Sequence, residues 1–483
     1  MGIIRKQGLN NSIVTYIGIA IGFVSLIFLQ PLFLTTEELG LTRILISVSY
    51  VISTIIPLGI ANGITKFFPQ FKDPQKHNHG FLGIMFVFLM VGILLTGTLL
   101  YSFKSYIFIQ YQKESPLFME YFHWIFPFSI FLALISVLNI YCYSLYKTFF
   151  ASLLNDILVR IFSIILFSVY FFKLISLKCM MTLFIGIYGM QVIGLIVYIV
   201  KNDAFNLHID FDFLRKSNYK EMIHFIIFFS IAPIASSGIK FFDSIIIGKF
   251  LPLSMVGIYA VMTFIPSFIE APLIAIEKIA NAKISDAITR NDQQDLKDIY
   301  YKSCRFLMAI AGLLLVLIYT NAGYLLSFMK PEYLKGLNVI YIISLSATFN
   351  LYTGTNNALL FYSNKYVFGV LLLVGVLIVA LCLNIALIPI WGINGAAIAT
   401  TAAGLLLNLV KFVFIRMKYN LQPYDVRNLK IVLITLVSLS LLFVLPEVIN
   451  IYVSAIYKTV FLSTLYLGML YLTKSVVISE IYK

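Results

Sequence analysis

In the stretch SSGIKFFDSIIIGK, Ser236 to Lys249, Lys240 and Asp243 stand three residues apart in apolar surroundings. At helical spacing Ser236, Lys240 and Asp243 fall at i, i+4 and i+7, with Ser237 and Ser244 beside them, and make one polar stripe. The chemistry open to such a stripe is binding. An ammonium attracts anionic groups, and a carboxylate next to it either tunes the ammonium or carries a cation. The alternative is an internal ion pair that neutralises itself between packed helices. Pro233, one turn earlier, removes a backbone hydrogen bond and favours a kink.

Comparable stripes recur elsewhere. Tyr259, Thr263, Pro266 and Glu270 share one helical face, with Glu277 further along it. Arg43, Ser47, Tyr50, Thr54 and Pro57 share another. Asp156 and Arg160 are spaced i, i+4, an arrangement that long side chains reaching for an interface also explain. Together these stripes are expected to line a central passage. Bond-breaking chemistry has no such support. No Ser/His/Asp or Cys/His arrangement is present, so no catalytic residue is assigned. GKF at Gly248–Phe250 lacks the glycine and the Ser/Thr of a phosphate-binding loop. Asp210 and Asp212 echo the DxD of metal-dependent glycosyltransferases but lie in a short linker without a nucleotide-binding domain. His77 and His79 read as a solvated loop with too few ligands for a metal, and His123 and His224 as interfacial. Cys142, Cys179, Cys304 and Cys382 are isolated and read as small apolar fillers. No metal and no cofactor is expected, beyond a coupling ion, a proton or Na+.

The elements that carry these residues are membrane helices. Of 483 residues 60% are hydrophobic and 12% charged, with a mean hydropathy of +0.95; a soluble domain is about a quarter charged. Apolar runs of about 20 residues recur from end to end, each able to cross ~30 Å of hydrocarbon. The expectation is an all-α polytopic membrane protein with about 14 transmembrane helices, the seventh over 222–247 and the eighth over 257–280. The net charge of +14 does not indicate nucleic acid, because the basic residues fall in short loops, where they set topology. Arg5, Lys6, Lys66, Lys72, Arg215, Lys216, Arg416, Lys418 and Lys483 share the richer side, which places the N- and C-termini in the cytoplasm. MGIIRKQGLNNSIVTYIGIAIGFVSLIFLQPLFL is too long in its apolar core for a signal peptide and reads as an uncleaved first span.

Span two (LGLTRILISVSYVISTIIPLGI) and span eight (VGIYAVMTFIPSFIEAPLIAI) each reach Pro-Leu about sixteen residues after hydrophobic-Gly-hydrophobic, at Pro57-Leu58 and Pro272-Leu273. An even number of spans separates them, so the two units share an orientation, as in parallel-repeat transporters. The expected organisation is an N-terminal six-helix lobe (1–205), a cytoplasmic linker (206–221), a C-terminal six-helix lobe (222–420) and helices 13 and 14 (421–483). Gly18–Gly22 and Gly59–Gly63 have GxxxG spacing and read as packing contacts.

GLTRILISVSYVISTIIPLGIANGITKFFP, FFDSIIIGKFLPLSMVGIYAVMTFIPSFIEAP and IPIWGINGAAIATTAAGLLLN, within two six-span bundles plus a pair, resemble the multidrug/oligosaccharidyl-lipid/polysaccharide exporter superfamily over essentially the whole chain. Within it the chain looks like the polysaccharide-transporter, O-antigen flippase-like branch. That resemblance implies a bacterial inner-membrane flippase that is not an enzyme. It would move undecaprenyl-diphosphate-linked oligosaccharide from the cytoplasmic to the periplasmic leaflet by alternating access, driven by ion gradients or membrane potential. Its partners would be that lipid, membrane lipids, glycan polymerase and export machinery, and no nucleic acid. Cationic lumen residues are implied to meet the diphosphate and sugars; the matching positions are Lys240, Arg43 and Arg160, with Asp243 and Glu270 as ion-coupling or polar lining residues. The competing functions are an ion-coupled drug or cation exporter of the same superfamily, which typically has twelve spans, a membrane glycan polymerase, ligase or glycosyltransferase, and a passive assembly scaffold.

Overall fold

The computed structural model describes residues 14–202, 205–216, 218–290, 292–361, 366–448 and 450–475. Arg5, Lys6 and Lys483, on which part of the topology rests, lie outside them. The described residues are helical almost throughout and divide into two compact units, Met1–Gly257 and Ile258–Lys483.

The first unit contains α1 (Val14–Phe33), α2 (Thr36–Ile55), α3 (Ile60–Phe71), α4 (Phe81–Tyr111), α5 (Ile125–Ser144), α6 (Thr148–Phe171), α7 (Leu177–Val200), α8 (Tyr219–Phe229) and α9 (Ile231–Phe250). The boundary between the units falls within α10 (Leu253–Phe264). Helix α2 is started by a reciprocal cap. Thr35 Oγ1 accepts from the Glu38 amide at 3.2 Å and Glu38 Oε2 from the Thr35 amide at 2.8 Å. Such a cap satisfies two orphan amides and stabilises a helix start by about 1 kcal/mol. From there α2 runs antiparallel to α9, with Thr54 against Ser237 (3.1 Å) and the Tyr50 ring stacked on Phe241 (5.1 Å). The seventh span is thereby packed within the first unit. Two helices carry π-helical turns, Val24–Leu29 in α1 and Leu153–Leu158 in α6, a distortion often found at functional sites.

On one end of this unit the loop before α4 meets the linker. His79 is buried, its ring stacked on Phe213 and its Nδ1 2.8 Å from Asp210 Oδ2. This corrects the expectation of a solvated loop at His79, though not at His77, which is exposed: the His79 ring is covered by Phe213 and its polar edge is satisfied by Asp210. That hydrogen bond, before any other contact, holds the Asp210 carboxyl below its ordinary range. Asp210 of the DxD-like pair thus fastens a linker to a loop.

The second unit contains α11 (Ser267–Thr289), α12 (Gln293–Ser327), α13 (Leu337–Tyr352), α14 (Asn356–Phe361), a long helical stretch Tyr366–Tyr419, α17 (Val426–Val444) and α18 (Ile451–Leu472). The long stretch is two spans. Phe368 and Phe414 would lie ~69 Å apart in one straight helix, yet their rings stack 5.0 Å apart. The chain reverses at Gly392, whose φ of 58° and ψ of −139° belong to a region that residues with a Cβ scarcely enter. The limbs are α15 (366–391) and α16 (393–419). Among the described residues 12 helices are long and apolar enough to span a membrane, or 13 when α10 and the start of α11, bent by 48°, count as one. Dividing the hairpin raises this to about 14, the number expected at roughly 20 residues per span. Pro57 stands at the break between α2 and α3, whereas Pro272 lies inside α11 and the eighth span bends at Pro266 instead. The last two helices are fastened to α12. Tyr466, fully buried, donates to the Ala309 carbonyl at 2.9 Å among Met308, Val316, Ile431 and Leu462.

Candidate functional site

Arg43 and Arg160 come together in the first unit. Arg43 rises from α2 and donates through Nη2 to Oε1 of Gln30, which sits directly after the π-turn of α1. Arg160 leaves α6 just beyond its π-turn and donates through Nη1 to the Gly18 carbonyl. The two arginines act electrostatically on the Tyr188 hydroxyl, and Arg160 also on Tyr50. Asp156, in the π-turn itself, balances Arg160 and accepts from Thr15 at 3.2 Å and Asn155 at 2.9 Å. Asp156 and Arg160 are both half-buried.

The small residues of α1 make this possible. A Cβ at Gly18 would lie 2.8 Å from Asp156 Cβ, and one at Gly22 would lie 3.0 Å from the guanidinium carbon of Arg160. The GxxxG spacing thus seats α6 and its charged pair against α1. Packing was the expected role, and its consequence is to aim a cation.

Lys240 and Asp243 part company. Lys240 is exposed, with its ammonium 5.2 Å from the Phe241 ring centre, and Phe241 in turn stacks on Tyr50. Asp243 is buried at 7% exposure. Three residues turn a helix by ~300°, so the stripe has width and its two charges meet different surroundings. Two of the cations singled out from the sequence border the Tyr50–Phe241 stack, Lys240 beside the Phe241 ring and Arg160 acting on Tyr50. A set of two guanidiniums, one ammonium and tyrosine hydroxyls suits a multiply charged anion with several oxygens, since guanidinium forks match phosphate geometry.

Glu270 belongs to the second unit, where Asn350 Nδ2 donates to its Oε1 at 3.0 Å. Nearby is a residue that sequence reasoning passed over. Lys411 on α16 is 4% exposed and donates to Asn357 Oδ1 at 2.6 Å. The signal was available in GLLLNLVKFVFI, where Asn408 and Lys411 interrupt an apolar run at i, i+3; an intramembrane lysine is a functional candidate by default. Among the described residues no cluster of metal-ligating side chains is present.

The second unit also holds an apolar groove of about 540 Å³, lined by Met308, Phe349, Tyr352, Leu409, Leu429 and Val432 among others. It lies between the body of the unit and α17. Asp425 at its edge pairs with Arg305 at 2.8 Å.

No protein-family profile matches the sequence, and no curated protein is recognisably similar to it. Solved structures are similar in fold. The lipid II flippase MurJ in an inward closed conformation superposes with a TM-score of 0.75 over 95% of this chain and 98% of that one, at 14% identity. An inward-facing multidrug resistance MATE family transporter of the MOP superfamily gives 0.63 over 83% and 94%, at 12% identity. A variant of the Vibrio cholerae MATE transporter VcmN gives 0.54 over 87% and 100%, also at 12% identity. The chain therefore shares its fold with these flippase and transporter structures.

Proposed function

We propose that the chain is a lipid-linked oligosaccharide flippase of the bacterial inner membrane. It turns undecaprenyl-diphosphate-linked glycan from the cytoplasmic to the periplasmic leaflet by alternating access, for O-antigen, capsule or exopolysaccharide assembly. The observation that carries this proposal is that Arg43 and Arg160 both act on Tyr188, and Arg160 also on Tyr50, whose ring stacks on the Phe241 that Lys240 overlies. Two guanidiniums brought to one place suit a diphosphate, whose oxygens match their forked donors. Two further observations support it. The groove beside α17 offers an apolar seat for the isoprenoid tail. The likeness to the lipid II flippase extends over 95% of the chain against 83% for the MATE transporter. That difference is about 58 of 483 residues, the scale of the helix pair Val426–Val444 and Ile451–Leu472.

The expected test is binding of a short-chain prenyl-diphosphate glycan to purified protein. Losing charge-assisted hydrogen bonds costs about 1.5–3 kcal/mol, so Arg43→Gln with Arg160→Gln should weaken affinity by roughly 10- to 150-fold. Equal affinity in the double variant would remove the cluster from the binding site and the proposal with it.

A further inference from the structure

Where the loop before α4 meets the linker before α8, the first unit holds another cavity, about 440 Å³ in volume. That is within the ~300–1,000 Å³ of small-molecule sites. Lys76 lines it from the loop, and Asn206, His208, Asp210, Phe211 and Asp212 line it from the linker. Its walls are held by backbone contacts. The Asp210 amide donates to the His79 carbonyl at 3.3 Å, and the His208 amide to Asn206 Oδ1 at 2.9 Å. A Cβ at Gly80 or Gly83 would collide with the carbonyls of His208 and Leu207, so these glycines let the linker lie directly on the start of α4. On the loop side His77, Asn78 and His79 have φ of 48°, 53° and 50°, a left-handed run that residues with a Cβ adopt at a cost. Backbone held in that region clusters at ligand clamps and active sites.

Asp210 is spent on the protein itself, accepting from the Phe213 amide at 2.9 Å beside its bond to His79. Lys76, His208 and Asp212 are exposed, and none of their side chains enters these bonds. The cavity therefore offers Asp212 as an acceptor, Lys76 and the Asn206 amide as donors, and His208 as either. One ammonium accompanies one uncommitted carboxylate, so the lining selects no ion by charge. A phosphate would meet Asp212 as a like charge. A metal cation lacks ligands, because among the described residues no three metal-ligating side chains gather. Such a lining suits a neutral molecule with several hydroxyl groups, each of which both donates and accepts. A carboxylate takes two neighbouring O–H donors at once, and the negative face of a phenyl ring, here supplied by Phe211, attracts the C–H face of a sugar.

The loop and the linker join spans at the end that carries Lys66, Lys72 and Arg215, read from the sequence as cytoplasmic. A lipid-linked glycan in the cytoplasmic leaflet holds its sugars at that level, just outside the headgroups. We infer that this cavity is a sugar-binding subsite, taking a neutral hexose or N-acetylhexosamine of the glycan through Asp212, His208 and Lys76. The inference rests on the flippase reading and deepens it. The arginines meet the diphosphate common to such lipids, and the linker cavity reads the sugar in which they differ. Asp212, the half of the DxD-like pair that does not fasten the linker, thereby gains a role without nucleotide or metal.

The test is saturation-transfer NMR on purified full-length protein in lipid nanodiscs. The probes are free glucose, galactose, mannose, N-acetylglucosamine and N-acetylgalactosamine, each offered alone, with glucuronic acid as the charged comparison. At least one neutral sugar should give a saturable signal in the millimolar range, and glucuronic acid should bind more weakly. Asp212→Ala removes an exposed side chain and should leave the fold intact. It should raise the dissociation constant roughly 10-fold or more, the effect of losing a charge-assisted hydrogen bond. No saturable signal from any neutral sugar, equal affinity in Asp212→Ala, or tighter binding of glucuronic acid would each overturn the inference. The probes carry neither diphosphate nor lipid. Failure of prenyl-diphosphate binding would therefore leave these outcomes as they stand, and a cavity that binds no sugar would leave diphosphate binding at Arg43 and Arg160 intact.

Discussion

Gly22→Ala should separate the position of Arg160 from its charge. The added methyl group would stand 3.0 Å from the guanidinium carbon, where non-bonded carbons prefer ~3.5–4.0 Å. The obstacle is the far end of a flexible side chain, so the guanidinium shifts by roughly 0.5–1 Å and the helices stay where they are. Folding should lose little, while a phosphate-facing fork moved that far forfeits directional hydrogen bonds worth about 1.5–3 kcal/mol. That predicts at least a ~10-fold fall in transport at a normal protein level. Gly18→Ala is the contrasting case. Its methyl would meet Asp156 Cβ at 2.8 Å and the Asp156 carbonyl carbon at 3.0 Å, atoms tied to the backbone of α6, so the helices themselves must part. Overpacking of this kind costs about 1–3 kcal/mol, and the expected phenotype is less folded protein. The assay is surface-glycan export in cells that depend on this protein, normalised to its amount in the membrane. Wild-type export from Gly22→Ala, or a normal amount of Gly18→Ala, would refute the reasoning.

Two other outcomes are expected. Val432→Trp, which fills the groove beside α17, should slow transport of a long-chain lipid while leaving binding of a short-chain analogue unchanged; loss of both would mean that the groove is only structural. Glu447, between α17 and α18, accepts from Lys458 at 2.5 Å and from Ser454 and Tyr324 at 2.7 Å, and these contacts, Lys458 first, hold its carboxyl down at about 2. A depressed carboxyl stabilises the fold fully above its ordinary value of ~4.3 and loses that contribution as pH falls toward 2. Most of the Glu447 side chain faces solvent, so the loss is a few tenths of a kcal/mol. Thermal unfolding followed from pH 6 to 3 should show a small decline that Glu447→Gln flattens, and identical curves would contradict the assignment.

Fold class and span number were legible because each span repeats one physical requirement, about 20 apolar residues, and IPIWG marks the α15–α16 reversal with a proline and a glycine. Arg43 and Arg160 were legible as charges where charge is costly. Their meeting was not, since it depends on two π-turns and on two glycines that admit α6, none of which alters hydrophobic periodicity. Lys240 and Asp243 were legible as a pair by spacing, but spacing alone does not fix which neighbour each side chain meets. The seventh span packs against α2 within the first unit, a partnership set by Tyr50–Phe241 and Thr54–Ser237 that no local pattern announces. Lys411 was readable as an interruption, yet its surroundings become visible only when Asn357, which it touches, and Glu277 beyond that amide, more than fifty and a hundred residues away in sequence, are placed in space.

Reconstitution gives the most direct test of the flippase assignment. Purified protein would be placed in liposomes with a fluorescent undecaprenyl-diphosphate glycan, and the fraction of label reachable by an impermeant quencher would be followed over time. The assignment predicts that label in the inner leaflet becomes reachable with wild-type protein and remains protected with Arg43→Gln/Arg160→Gln at equal incorporation. Equal exposure with wild type, double variant and empty liposomes, alongside active efflux of an organic cation by the wild type, would contradict it.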